Sequence, residues 1–570
     1  MSTAIKHALA LIAAAALAAC STAPKGPDYQ VPADAVVMKP RAAEPFLEQQ
    51  RAAAAVGGGA AGAGAGPAAD TANGSSTTAS APAPAPFDSA PLPPHWWRLF
   101  QDPALDELIE RALARNTDLR QAAANLERVQ ALESEVRGGE KPTVSVNGGP
   151  SFGHPSGLSM LKKDYVPPDT YRYSAGVGLS YQLDLFGQIR RAVESSQAST
   201  EAAAAALDLV KVNVAAGTAR AYAEACATGQ RLASATHSVE LQREALEVTE
   251  QLQRAGRVGE IDAARGRSQL QQLKAALPPL LAQRQSALYR LATLTGELPE
   301  DFPRALADCH VAPRVAGTIP VGDGAALLRR RPDIRQAERE LHAATARIGV
   351  AIADRYPKIT LGLSAGSAGT LAGFGKSDTL SWSLGPLISW TLPNNGVADA
   401  RIAQAEAGTR QAAARFDGVV LNALRETETA LNQYARELDR RAALAASRDE
   451  AAVVAGQARR LYQGGKVGYL DALDAERALA TSDAALAASD AALIDEQVQL
   501  FLALGGGWES ATTTAQDEAP APTEVSRQTP ASVAAMSSEG AHPGTRSAGT
   551  GSSGTRNLRA ERSGTASSRL

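Results

Sequence analysis

The chain has 570 residues, enough for several ordinary domains or one very elongated one, and its net charge of −3 offers nothing to nucleic acid. Aromatic residues make up only 4%, a composition that suits close-packed, alanine-rich helices better than a thick mixed core. The three cysteines, at 20, 226 and 309, lack any C-x-x-C spacing, so no disulfide framework or zinc site is expected, and Cys226 reads as a small buried hydrophobe within a helix.

In chain order, the first element is "MSTAIKHALALIAAAALAAC". It has a basic start (Lys6, His7) and an apolar stretch, Ala8 to Ala19, too short to span a bilayer. It ends in Leu17-Ala18-Ala19-Cys20, similar to the bacterial lipoprotein signal, in which the cysteine becomes the acylated first residue of the mature chain. An ordinary secretory signal cut at an Ala-x-Ala site is the alternative. Residues 21–94 are rich in Ala, Gly and Pro and read as a flexible linker. The Ser/Thr/Gly/Arg-rich segment 509–570 reads as a disordered tail.

Between these lies a duplicated body. "AGRVGEIDAA" at Ala255 returns as "GGKVGYLDAL" at Gly464, an offset of 209 residues that Gly187 and Gly396 share. Upstream, Asp118 and Asp333, and Pro142 and Pro357, lie 215 apart. An offset that slips once marks an internal repeat with one loop of unequal length, dividing the body into residues 95–321 and 322–508. Each repeat carries one very long helical run, 188–254 and 397–463, free of proline. Either would be about 100 Å long, so these helices must pack side by side. Shorter runs accompany them at 104–137, 266–295, 323–353 and 471–503, with a kink or break expected at Pro278-Pro279.

Ahead of each long run the period changes to two. In "YRYSAGVGLSYQLDL" the odd positions from Tyr171 to Leu185 are apolar. Leu380, Trp382, Leu384, Pro386, Ile388 and Trp390 do the same in the second copy, and "TVSVNGG" and "ITLGLSAG" supply partner strands for two hairpins. A soluble sheet with one buried side would show such alternation. Three details favour a membrane barrel: strands of about ten residues or more, a small polar opposite face, and aromatic pairs eight residues apart. Tyr173 with Tyr181, and Trp382 with Trp390, would then stand about 27 Å apart along their strands, as girdles flanking a lipid-facing band. Four strands cannot enclose a water-filled lumen, so copies must combine. The expected fold is mainly α with a small β-barrel contribution.

The chain resembles the TolC-like outer-membrane efflux channels, in particular the lipoprotein branch serving multidrug efflux pumps. The resemblance rests on "GPDYQVP", "WWRLFQDPALDELIERALARNTDLRQAAANL", "YQLDLFGQIRRAVE", "LLRRRPDIRQAE" and "LALGGGW", in that order. The long linker and the tail depart from that pattern. The resemblance implies a homotrimer that closes a 12-stranded outer-membrane barrel, continued by an α-helical tunnel through the periplasm. It implies a passive duct, energised by an inner-membrane RND-type transporter through a periplasmic adaptor, with outer-membrane lipid around it and no cofactor, metal or nucleic acid.

The repeated turns would then share the periplasmic tip, where Gly256, Val258, Gly259, Gly465, Val467 and Gly468 would dock the adaptor. The second copy adds Leu470, Asp471 and Asp474, which by the resemblance line a constricted aperture, and Arg477, which would touch a neighbouring protomer. A role at the start of the returning helix is the alternative for both aspartates. No H-E-x-x-H, G-x-S-x-G or P-loop pattern supports an enzyme. The competing functions are the outer-membrane duct of a type I secretion system and a structural periplasm-spanning lipoprotein.

The cysteine ending of the signal gives a direct test. Radiolabelled palmitate should enter the wild-type protein and not Cys20→Ala; labelling of both would exclude acylation at this residue.

Overall fold

The computed structural model describes residues 23–51, 86–154, 156, 163–302, 304–315, 317–391 and 396–507. Cys20, Trp508 and the tail from Glu509 lie outside them. The helices are α1 (Pro103–Arg115), α2 (Thr117–Gly138), α3 (Gln188–Arg254), α4 (Glu260–Ala275), α5 (Leu277–Leu294), α6 (Gly324–Arg330), α7 (Pro332–Ala353), α8 (Val397–Gln463) and α9 (Tyr469–Ala503). The two long helices, α3 and α8, have 67 residues each. The run expected over 104–137 is divided because Asn116, 2% exposed, caps α2 by accepting from the amides of Asp118 and Leu119. The run over 323–353 is divided at Arg331, extended because a proline follows it. The proline pair breaks 266–295 just before itself: α4 stops at Ala275 and Pro278 occupies the first turn of α5.

These helices lie side by side as a wall. In its upper part the order is α2, α3, α7, α8; in its lower part α5 and α4 take the place of α2, and α9 that of α7. Among the described residues α3 alone is long and apolar enough to cross a membrane. Its central residues are buried instead against α1, α5 and α9 (Ala221, Ala225 and Cys226 are fully covered), as a core helix of the wall.

The strands are β1 (Phe87–Asp88), β2 (Thr143–Gly153), β3 (Thr170–Leu183), β4 (Ile319–Pro320), β5 (Lys358–Thr370) and β6 (Leu380–Ser389). β1 and β4 form a small parallel pair, while β2-β3-β5-β6 make one antiparallel sheet. The one slip in the repeat offset falls in its hairpins, where the connection 154–169 answers the shorter 371–379. Each hairpin enters its long helix through a glycine in the left-handed region, Gly187 (φ 78°) and Gly396 (φ 79°).

The expectation of a flexible linker over 21–94 does not hold for its described residues. Residues 23–51 form a strap along α7 and α8. Tyr29 stacks on His342 at 4.4 Å, the Val36 amide donates to Asp417 (2.8 Å), and Val36 and Ala42 pack with Ile334, Leu341, Phe416 and Val420. Arg191, only 4% exposed, fixes the strap's start: it donates to the Lys25 and Gly26 carbonyls and pairs with Asp28 (2.6 Å) and Glu194 (2.7 Å). Burial alone lowers the pKa of this guanidinium, but the two carboxylates outweigh it and raise it. Composition hid the strap because its few anchors are scattered among Ala and Pro.

The main core joins the two ends of the body. Trp96, fully buried, stacks on Phe501 at 4.7 Å and donates its indole N–H to the Gly506 carbonyl. A side chain at Gly506 would collide with Leu92, and Gly505 (φ 68°) and Gly507 (φ 102°) lie in the left-handed region, which together explain the glycines of "LALGGGW".

Cys226 is not a lone buried thiol: it forms a disulfide with Cys309. The partner lies 83 residues away, on the segment joining the repeats, so spacing gave no sign of it. That segment folds back onto α3 where Gly229 leaves room; a Cβ there would stand 2.1 Å from the Cys309 carbonyl oxygen. Disulfides typically contribute about 2–4 kcal/mol, largely by constraining the unfolded chain. Cys226→Ala with Cys309→Ala should therefore lower the detergent-solubilised melting temperature, and a reductant should lower it for the wild type alone. An unchanged melting temperature would show that the bond carries no stability.

Candidate functional site

Two regions carry functional geometry, the sheet and the end of the wall where both repeated turns meet. In an antiparallel sheet, paired residues project to the same face. The register aligns Val144, Leu179, Leu363 and Leu384 in one row and Val146, Val177, Ala365 and Trp382 in the next on that face. The opposite face carries Ser145, Gly178, Ser364 and Ser383, with the last two hydroxyls 2.8 Å apart. The apolar face is bare: Val146 is 79% exposed and Trp382 77%. A bare apolar sheet face this continuous is a lipid-facing surface, not half of a soluble core.

Of the four expected girdle residues, Trp382 and Trp390 are exposed on this face, with the Trp390 indole N–H donating to the Arg355 carbonyl. Tyr181 is half-buried. Tyr173 differs from expectation. It is covered by the connection after β5, its ring against Phe374 (4.9 Å) and its hydroxyl bonded to Ser367 and Thr379. Tyr171 and Phe152, paired at 4.8 Å, hold the exposed aromatic positions there.

At the other end of the long helices the two turns share one construction. After α3, the amides of Gly256 and Arg257 donate to the carbonyls of Gln253 and Leu252; after α8, Gly465 and Lys466 donate to Tyr462 and Leu461. This closure needs a left-handed residue, supplied by Gly256 (φ 69°) and Gly465 (φ 71°). Gly259 and Gly468 are extended and open α4 and α9, with Val258 and Val467 half-buried before them. The structure thus brings all six expected tip residues to one end of the wall.

Leu470 is exposed there, and Asp471 and Asp474 lie on one side of α9. Asp471 accepts from the Gly468 amide (3.3 Å), so it does cap its helix. Asp474 is 71% exposed and takes only a 3.4 Å contact from Arg477. Arg477 turns within its own chain, donating to Gln269 of α4 (2.8 Å) and tying the two tips together.

Sequence reasoning gave no role to Tyr462, Tyr469 or Gly266. The tyrosine rings stand 5.7 Å apart, and the Tyr469 hydroxyl lies where a Cβ on Gly266 would come within 3.1 Å. Burial raises the Tyr462 pKa, the nearby Tyr469 and Asp262 add to the shift, and Thr249 opposes it. Two tyrosines seven residues apart across a Gly-Gly turn were the available signal.

Comparison with known proteins decides what this assembly is. The family model described as "Outer membrane efflux protein" matches residues 108–297 and 325–506, the two repeats on either side of the Cys309 segment. The chain belongs to the outer membrane efflux protein family. It is 34% identical over 426 residues to the solvent efflux pump outer membrane protein SrpC of Pseudomonas putida, covering 72% of this chain and 86% of that one. It is 28% identical to the probable outer membrane lipoprotein SilC of Salmonella typhimurium, over 72% of this chain and 88% of that one. The structure of the outer-membrane channel OprN superposes with a TM-score of 0.73 at 32% identity, over 85% of this chain and all of the other. The protein is an outer-membrane efflux channel, not an enzyme, with the mainly α, small-β fold of its family.

The channel's paired tip turns differ within themselves in a testable way. Nothing lies within 4 Å of a Cβ at Gly256 or Gly465, so Gly465→Ala should cost only the left-handed backbone strain, about 1 kcal/mol. Gly468→Ala, at φ −70°, should be neutral. Hydrogen exchange at residues 460–470 should rise for the first and not for the second; equal behaviour would contradict the closure described.

Proposed function

We propose that three copies assemble into one duct that carries small toxic organic compounds across the outer membrane, docked at its tips to a periplasmic adaptor and through it to an inner-membrane RND-type transporter. The observation that carries this reading is the sheet. Its four strands order every apolar row onto one bare face and leave β2 and β6 with open edges. In hydrocarbon each unpaired backbone group costs several kcal/mol, so such a sheet must close with copies of itself. Three copies give twelve strands. The relatives named for solvent and toluene efflux support small apolar cargo. Lipid attachment at Cys20 is supported by where the strap begins: the Lys25 amide bonds the Phe186 carbonyl at the strand-to-helix junction, beside the membrane end of the sheet.

At the tip, three-fold repetition would set Asp471 and Asp474 of each chain round one axis, with Leu470 beside them. Carboxylates in a narrow ring concentrate cations and repel anions. Asp471 serves both as helix cap and as ring member, while Asp474, exposed and bonded only to Arg477 of its own helix, stands in the ring beside it.

Native mass spectrometry in detergent should show a trimer as the smallest folded species, and a stable folded monomer would defeat the reading. In planar bilayers Asp471→Asn with Asp474→Asn should reduce cation preference and block by multivalent cations while leaving the trimer intact. Unchanged selectivity and block would make both aspartates helix-start residues and place the constriction elsewhere.

A further inference from the structure

The upper wall has two unlike sides. One is covered by the strap, through Ile334, Leu341, Phe416 and Val420. The other holds an open cavity of about 770 Å³ spanning α2, α3, α7 and α8. That is the size range of sites for small organic ligands. On α7 the cavity takes Gln336, Ala343 and Arg347, which helical spacing sets well round from the strap's Ile334 and Leu341. Because the strap and the tryptophan core fill the covered side, the cavity side is the one left to line a duct.

The chemistry of the cavity is two-part. Its floor is of small apolar residues, among them Ala202, Ala343, Ala405 and Gly408. Three arginines reach it: Arg347, Arg401 and Arg415. Glu340 is the one acid in the lining, and it is already engaged by Arg415 (2.5 Å) and by the Gln336 amide (2.9 Å). Arg401 contacts Asp354 only at 3.5 Å, and Asp354 also serves Lys358 (3.2 Å) and Gln188 (2.7 Å). Arg347 is exposed and makes no ion pair or hydrogen bond among the described residues. The cavity therefore holds an unneutralised positive surplus over an apolar floor. This is opposite in sign to the tip carboxylates.

We propose that this cavity binds amphipathic organic anions, the hydrocarbon body on the alanine floor and the carboxylate or sulfonate on Arg347 and Arg401. Guanidinium groups suit this role because they are weakly hydrated, present paired donors to an oxyanion and stack on aromatic faces. The site itself rests on the wall alone; its service as a station along the exit path rests on the proposed duct.

The test is isothermal titration of the full-length protein in neutral detergent with naphthalenesulfonate, and with naphthyltrimethylammonium as its cationic counterpart. The anion should bind, more weakly as salt is raised, and the cation should not. Arg347→Gln with Arg401→Gln should weaken anion binding roughly ten-fold or more, while lysine at both positions, which keeps the charge without the paired donors, should restore only part of it. Both side chains are exposed, so the variants should fold, as native mass spectrometry of the trimer would check. Absence of anion binding, equal affinity for both probes, or an unaffected glutamine variant would each overturn the site. Bilayer conductance separates the two ideas: a conducting channel without anion binding removes the site and keeps the duct, and anion binding by a protein that does not conduct does the reverse.

Discussion

Backbone amides and carbonyls have no partner in hydrocarbon, and most of this architecture follows from that fact. A sheet of four strands satisfies its inner ladders but not the outward edges of β2 and β6. Shortening the strands would not help, because each must still cross the apolar layer. The remaining solution is closure between chains, and closure fixes what the helices must do: each strand pair enters a helix at Gly187 or Gly396, so the helical wall continues whatever ring the strands make. The long helices are alanine-rich because neighbours in a wall must pack closely side by side, and bulky residues gather where Trp96, Trp97, Phe100 and Phe501 form the core.

Much of this was legible in the sequence because it is periodic. Both 67-residue helices begin and end where glycine and the absence of proline placed them, and the alternation in β3 and β6 became the two faces of the sheet. The repeated "G-[RK]-V-G" turns came together at one end because duplicated helices of equal length must. What escaped were the long-range pairings that neither the repeat nor the alternation marks. The strap is held by single residues, Tyr29, Val36 and Leu47, each meeting a partner hundreds of positions away. The Cys226–Cys309 bond depends on a segment outside both repeats, so neither period nor spacing marks it. Tyr173 kept its face but not its exposure, because the connection that covers it has no periodicity to read.

The sequence stretches that carried the family resemblance turn out to be fixtures of the wall. Arg191 of "FGQIRRAVE" holds the strap. Arg331 of "RRRPDI", 8% exposed, bonds Asp333, Glu426 and the Ala503 carbonyl, so that it pins α7 to the end of α9. Burial disfavours its charge, and the two carboxylates more than restore it. Buried guanidiniums with several fixed acceptors set register where alanine faces alone would slide.

The strap also bears on how the chain is made. Tyr29 reaches Glu338, Val36 reaches Asp417, and Trp96 reaches Gly506, separations of 309, 381 and 410 residues. Contacts so distant along the chain form slowly, since a long loop must close before they give any return. The residues that leave the ribosome first thus wait for almost the last, and their sites on α7 and α8 do not exist until the second repeat has been exported. Meanwhile four apolar-faced strands are without lipid and without neighbours, the condition most prone to aggregation. A seated strap therefore marks a chain whose second repeat has already folded, because the sites that receive Tyr29 and Val36 are built from it.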